Sequence, residues 1–325
     1  MRLMSEQPIA ILVFSEDRDT MLELLAKSRE KADETHSESS VAVLGEITED
    51  EARELGSCGA DRAYLMESQD LAVFNVEIYC NVLSQLISEV KPEVILVGGT
   101  RRGRELAPRL AERLGIGCVS ECVDFEIEGK ERVVKMQRIV YGGLALTTYT
   151  FNRKPALATI SPSLFQKKTV KGREVKIVKV QAKLGTSKLS VAELRPKERS
   201  SRKLEAARVV VDAGRGVKKR EDLKLLEELA EVLGGQVACS RPLAADKGWF
   251  SDWIGISGKK IRSDLCVTIG VSGSIQHKGG IRDSKAILAI DSNPDAPIFS
   301  MADYGVVGDL YEVVPALIQA LKKRL

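Results

Sequence analysis

Gly270-Val271-Ser272-Gly273-Ser274-Ile275-Gln276-His277-Lys278-Gly279-Gly280 is the stretch on which the reading of this chain turns. An apolar run ending at Ile269 feeds into it, and a second apolar run at 286–290 follows. A strand that empties into Ser-Gly-Ser presents backbone N–H groups and hydroxyls at its carboxyl end. That is where open α/β sheets hold phosphate-bearing ligands, and glycine lets the backbone come close to them. The competing reading is a tight strand-to-helix turn with no ligand.

Working outward, the same rhythm repeats across the second half. Strands are expected at 208–212, 236–239, 265–269, 286–290 and 297–300. An amphipathic helix at 221–233 carries Leu223, Leu226, Leu229 and Leu233 on its apolar face. A last helix runs from about 306 to 323. Small polar residues fall just after the strands: Gly214-Arg215-Gly216, Ser240-Arg241-Pro242, Ser272 to His277, and Asp291. In a doubly wound parallel sheet these tips converge on one crevice, and together they describe a site for a phosphorylated, nucleotide-like ligand.

The first half alternates in the same way. Ile-Ala-Ile-Leu-Val-Phe at 9–14 is the continuous apolar run of a strand buried on both faces. Further strands are expected at 41–44, 62–65 and 94–97, with helices at 17–31, 49–55, 73–89 and 104–114. Gly98-Gly99-Thr100-Arg101-Arg102-Gly103 resembles an anion cradle, though it lacks the Gly-Lys-Ser/Thr of a P-loop; the alternative is a glycine turn with solvated arginines. From 123 to 180 the texture becomes β-type, with runs at 124–127, 132–140, 145–151, 156–160 and 175–180 that read as a mostly antiparallel addition. The charged, proline-broken stretch at 195–203 is the expected domain boundary. The expected fold class is therefore α/β in two domains, 1–200 and 205–325, each a mostly parallel doubly wound sheet, the first with an added antiparallel β portion.

The totals agree with a soluble two-domain protein. The chain has 325 residues, 44% hydrophobic and 29% charged, and 49 basic residues nearly balance 46 acidic ones. A net charge of +3 and 5% aromatic residues give little material for a nucleic-acid surface. Six cysteines stand mostly alone, with Cys118 and Cys122 the one close pair, and the two histidines, His36 and His277, cannot build a multi-histidine metal centre. Reduced thiols, no metal and a cytoplasmic location are expected, since the amino end reads as neither signal peptide nor membrane span.

Simple nucleotide motifs are absent. No G-x-G-x-x-G opens either half, Gly258-Lys259-Lys260 is not a Walker A, and Ser274 replaces the closing glycine of a hydrolase elbow at Gly270 to Ser274. What does occur, in order, is Gly214-Arg215-Gly216, Ser240-Arg241, Gly255-Ile256-Ser257-Gly258-Lys259, the 270–277 stretch, Ala296-Pro297-Ile298-Phe299 and Ala302-Asp303-Tyr304-Gly305. This set resembles the α subunit of electron transfer flavoprotein, specifically over about 205–325. Ala107-Pro108-Arg109 and Tyr141-Gly142-Gly143 extend the likeness, more weakly, into the first half.

The resemblance implies noncovalent FAD on the second domain and a β subunit as heterodimer partner contacting the first. On that pattern Arg215 and the backbone of Ser272, Gly273, Ser274 and Ile275 hold the phosphates and the adenosine side. Arg241 lies over the isoalloxazine, where a permanent cation favours anionic reduced flavin. Ser257 stands where the family has threonine and keeps a hydroxyl for flavin N5, and His277 and Gln276 face the pyrimidine edge. Ser240, Ile254, Gly255, Ile256, Asp291, Asp309 and Leu310 complete the expected contacts. Ile256 replaces a family glutamine, Asp291 replaces an asparagine, and the loop at 247–253 departs from the pattern. Trp249 and Trp253 read as core aromatics.

The function implied is an electron carrier between flavoprotein dehydrogenases and a membrane-associated quinone reductase, with no turnover of its own, no nucleic-acid partner and no direct membrane insertion. The charged stretch at 195–203 would give its second domain the mobility such transfer needs. Two alternatives stand beside it. One is an NAD-using enzyme on a similar nucleotide-binding domain, with His277 as its base, and the other is a purely structural nucleotide-bound subunit.

Overall fold

The computed structural model describes residues 9–129, 132–170, 173–194, 204 and 207–324. The chain divides into two compact units, Met1–Arg195 and Pro196–Leu325. The expected boundary at 195–203 lies outside the described residues.

The first unit begins with four βα steps: β1 (Ile9–Phe14), α1 (Arg18–Glu34), β2 (Glu38–Leu44), α2 (Glu49–Ser57), β3 (Arg62–Met66), α3 (Val76–Val90), β4 (Val94–Gly98) and α4 (Arg101–Leu114). The apolar run of β1 follows from burial on both faces. Ile11 and Val13 join the core on one side of the sheet, and Leu12 and Phe14 the core on the other. Local chemistry sets the helix ends. The Asp17 carboxylate accepts from the Thr20 N–H at 3.0 Å. Thr48 and Glu51 form a reciprocal capping box, and α3 stops at Lys91, φ 53°, ahead of Pro92.

Five strands follow: β5 (Cys118–Glu128), β6 (Val133–Val140), β7 (Ala145–Thr150), β8 (Ala156–Ile160) and β9 (Lys176–Lys179). The nine-stranded sheet runs β7-β6-β5-β8-β4-β1-β2-β3-β9. Only the β5/β6 and β6/β7 pairings are antiparallel. β8 inserts parallel between β4 and β5, and β9 adds parallel to β3. The antiparallel addition is therefore smaller than the run of β-type sequence suggested. β8 is fully buried, which its uninterrupted Ala-Leu-Ala-Thr-Ile signals, whereas β7 is mostly exposed.

The second unit is a five-stranded, all-parallel sheet of β10 (Val209–Ala213), β11 (Gln236–Cys239), β12 (Leu265–Ile269), β13 (Ile287–Asp291) and β14 (Tyr304–Val307), in the order β11-β10-β12-β13-β14. α5 (Leu223–Val232), α6 (Ile275–Ile281) and α7 (Leu310–Lys322) cover it. Val211 and Ala213 of β10 pack into one core with Leu226, Leu229 and Val314. Val210 packs into the other with Ile281 and Ile298. Residues 297–300 are a 3₁₀ turn rather than the expected strand, because Pro297 pre-sets its first turn. The fifth strand is instead Tyr304–Val307, and the last helix starts at Leu310 rather than near Val306. No helix among the described residues is long and apolar enough to cross a membrane.

Candidate functional site

The chain passes from β10 to β11 on one side and then crosses back over to β12 on the other, so the strand order reverses at β10. Such a reversal opens a crevice at the carboxyl ends of the strands. The tips here are tied tightly together. The Gly214 N–H donates to the Ile269 carbonyl at 2.8 Å, the Gly216 N–H to Gly270 at 3.0 Å, and the Ser240 N–H to Ala213 at 2.9 Å. At Gly214 a Cβ would sit 2.0 Å from the Gly270 carbonyl oxygen, so the close approach of the two turns demands glycine.

The turn after β12 is open towards solvent. Ser272, Ser274, Ile275 and Gln276 are exposed, while Gly273, at φ 84°, is buried against Ile298. The Ser274 hydroxyl accepts from the His277 N–H at 3.4 Å. Among the described residues, the N–H groups of Ser272, Gly273, Ser274, Ile275 and Gln276 find no protein acceptor. Consecutive unpartnered N–H groups form a concavity suited to an anion.

Arg215 and Arg241 stand at the tips of β10 and β11, the strands on one side of β12. Both are exposed and neither has an ion-pair partner among the described residues. Ser257 is exposed on a loop whose neighbour Ile256 donates its N–H to the Gln276 carbonyl at 2.9 Å, and this brings that loop beside α6. Ser240 and Ile254 are buried and form an isolated parallel bridge, with the Ile254 N–H on the Cys239 carbonyl at 2.8 Å. Buried Gly255 lies against the Gln276 carbonyl.

At the other side of the sheet the side chains are busy with their own turns. Asp291 accepts from the Asn293 N–H at 2.9 Å. Asp309 caps α7, accepting from the Tyr311 N–H at 2.9 Å, and buried Leu310 packs on Gly216 and Gly270. With neighbouring strands roughly 4.8 Å apart, the row of tips from Arg241 to Asp309 spans about 19 Å, the footprint of an elongated dinucleotide.

His277 is buried and meets an acid that the sequence reading did not name. It is 5% exposed, and its Nε2 lies 2.7 Å from Oδ2 of Asp212, a residue with no exposure at all. The ring N–H is not aligned for a straight bond, yet no better partner reaches either ring nitrogen or either carboxylate oxygen among the described residues. Burial alone would lower the imidazole's pKa. The charge and proximity of Asp212, helped by the Ile254 backbone, override it and raise the pKa above the ordinary histidine value. Sequence reading passed over Asp212. Its signal was a single acid closing the apolar run Val209-Val210-Val211, on the same face as buried Val210 by strand alternation.

In the first unit the Gly98–Gly103 turn is organised by its threonine. Thr100 caps α4, accepting from the Gly103 N–H at 3.0 Å, and its hydroxyl is also bonded to the Glu16 carboxylate. Arg102 lies over the Phe74 ring, 5.2 Å from its centroid. Two concavities of about 630 and 610 Å³ in this unit border α3, α4 and the segment at 183–188, and no candidate residue lines them. Among the described residues no cluster of three or more metal-ligating side chains occurs.

Comparison with known proteins now bears on this geometry. Residues 11–184 match the electron transfer flavoprotein domain, and residues 203–282 match the electron transfer flavoprotein FAD-binding domain. The chain is 37% identical over 325 residues to the electron transfer flavoprotein subunit alpha of Clostridium acetobutylicum, covering 96% of each. It is 35% identical over 324 residues to the corresponding subunit of Thermoanaerobacterium thermosaccharolyticum, covering 96% of this chain and 98% of that one.

The chain belongs to the electron transfer flavoprotein α-subunit family. Its cofactor is accordingly FAD, and membership in the electron transfer flavoprotein family implies a heterodimer with a β subunit. A further relative, at 34% identity over 305 residues, is subunit LctC of the NAD(+),ferredoxin lactate dehydrogenase of Acetobacterium woodii, of which this chain covers 72%. The residues present fit the cofactor: the unpartnered N–H groups and two unpaired guanidiniums are an anion-binding set, and the glycine tips admit backbone close to a pyrophosphate.

Proposed function

We propose that this chain is the FAD-carrying subunit of a heterodimeric electron carrier that takes electrons from flavoprotein dehydrogenases and passes them to a membrane-associated quinone reductase, or the reverse, without turnover of its own. The observation that carries this reading is that, among the described residues, the exposed guanidiniums of Arg215 and Arg241 have no ion-pair partner and five N–H groups have no acceptor at the strand tips of one sheet switch point. Arg215 and the 272–276 backbone hold the pyrophosphate. Arg241, Ser257 and Gln276 surround the redox end. Asp291 and Asp309 border the nucleotide end. FAD supplies the one- and two-electron chemistry, and the chain's part is to bind it and to favour its anionic reduced forms through Arg241.

The β subunit is assigned to the antiparallel strands of the first unit. There Tyr141 and Leu144 are 81% and 87% exposed, with Leu146 and Val133 also open to solvent, an apolar edge suited to a protein partner. His277, the base that an NAD-using alternative would need, is buried on Asp212.

Titration of the full chain with FAD tests the site. Wild type binds. Arg215→Ala weakens binding about tenfold or more, the loss expected for a charge-assisted phosphate contact. Equal affinity of the two proteins, or no binding by either, contradicts the proposal.

A further inference from the structure

The Asp212–His277 pair is unused by anything above. A carboxylate in the middle of a parallel sheet is costly unless paired, and Asp212 is fully buried between Ala238 of β11 and Thr268 of β12, its register neighbours. Among the described residues, the group of opposite charge that meets it is the imidazole of His277, which comes from the first turn of α6. Both residues stand at the crevice. Asp212 is two positions before the Gly214 tip, and the His277 N–H is held by Ser274 of the open turn.

The other ionisable groups facing the pair are two thiols. Burial, reinforced by the Asp212 charge, pushes Cys239 at the end of β11 up to about 12 and Cys266 of β12 well above the usual thiol range. Asp252, near Cys239, adds to the first of these shifts. Neither thiol carries charge near neutral pH, so among these buried groups the proton that titrates is the one on the Asp212–His277 pair.

We propose that Asp212 is a positioning residue that holds His277 in its cationic form behind the Gly270–Gln276 turn, so that proton loss at this pair controls how readily the crevice accepts electrons. The proposal rests on the crevice being the flavin site. With the proton present the pair is neutral. Once it leaves, the buried carboxylate is uncompensated, and negative charge beside the crevice opposes further electrons on the ring. Adding electrons to the ring in turn strengthens the hold on the proton, because the linkage is reciprocal.

Two measurements separate this inference from the one it rests on. The first uses the full chain without flavin, labelled at histidine and titrated by NMR. The chain has only two histidines, and exposed His36 serves as the internal reference. His277 titrates above the ordinary value of about 6.5, and in Asp212→Asn its midpoint drops by about one pH unit or more, the loss expected for an opposite charge in contact. Titration of wild-type His277 at or below His36, or no shift in the variant, overturns the proposal. Should the variant fail to fold, the wild-type titration alone decides.

The second measurement follows the midpoint potential of bound FAD against pH in the purified complex. Wild type shows a steeper fall beginning where His277 loses its proton, and in Asp212→Asn that break moves to lower pH. A potential profile without a break, or one unmoved in the variant, refutes the coupling. A wild-type chain whose His277 titrates as expected but binds no FAD refutes the flavin site and leaves the assignment of the pair standing.

Discussion

The Arg215 and Arg241 guanidiniums have no ion-pair partner among the described residues, so their substitution should be felt by the cofactor rather than by the fold. Arg241→Ala removes a permanent cation and is predicted to destabilise anionic reduced flavin, read as a lower midpoint potential with an unchanged circular dichroism spectrum. His277 adds a pH dependence to stability. Its folded pKa is raised, so the Asp212 pairing stabilises fully below about pH 6.5, the unfolded value, and that contribution is lost as pH rises through the folded one. Denaturant unfolding at a series of pH values should show this decline in wild type and lose it in Asp212→Asn. At this scale the turns at the strand tips were legible in the sequence, since Gly-Arg-Gly and Ser-Gly-Ser are local patterns. Asp212 was not legible, because strand alternation gives its face while its partner arrives from α6, 65 positions later. Nor could sequence show that Asp291 spends a carboxylate oxygen on its own turn.

Among the elements, the turns at the strand tips are built for close approach, and a single methyl group should be enough to part them. Gly214→Ala would place its Cβ 2.0 Å from the Gly270 carbonyl oxygen. It is predicted to cost roughly 1–3 kcal/mol by thermal unfolding, as overpacking does, and to weaken FAD binding. Thr48→Ala removes half of the capping box of α2 in the first unit and should cost about 1 kcal/mol while leaving FAD affinity unchanged. The comparison distinguishes a lesion of the crevice from a general loss of stability. Buried strands were legible because burial on both faces forces a continuous apolar run. β14 was missed because four exposed residues, Tyr-Gly-Val-Val, follow a proline-led turn whose Pro-Ile-Phe is the more strand-like text. The fates of β8 and β9 were hidden for another reason, since whether a strand pairs parallel or antiparallel depends on partners far away in sequence.

For the whole molecule, two organising features follow from the same physics. The apolar edge of the antiparallel strands is predicted to be the β-subunit surface, and Leu144→Asp should abolish copurification of the two chains without altering secondary structure. The six cysteines are free, and burial raises Cys118 and Cys122 to about 11. Little thiolate exists at neutral pH, so iodoacetamide should label the folded protein slowly and the denatured protein fully. The proposed placing of the redox centre at the strand tips of the second unit is the claim on which the account rests. The most direct test of that placing is the visible spectrum of the full chain purified with its β subunit, compared with that of an Arg215→Ala, Arg241→Ala double variant. Wild type is predicted to carry flavin absorbance in proportion to this chain, and the double variant to lose it while the two subunits still copurify. A variant that keeps its full flavin content would place the cofactor elsewhere and contradict the account.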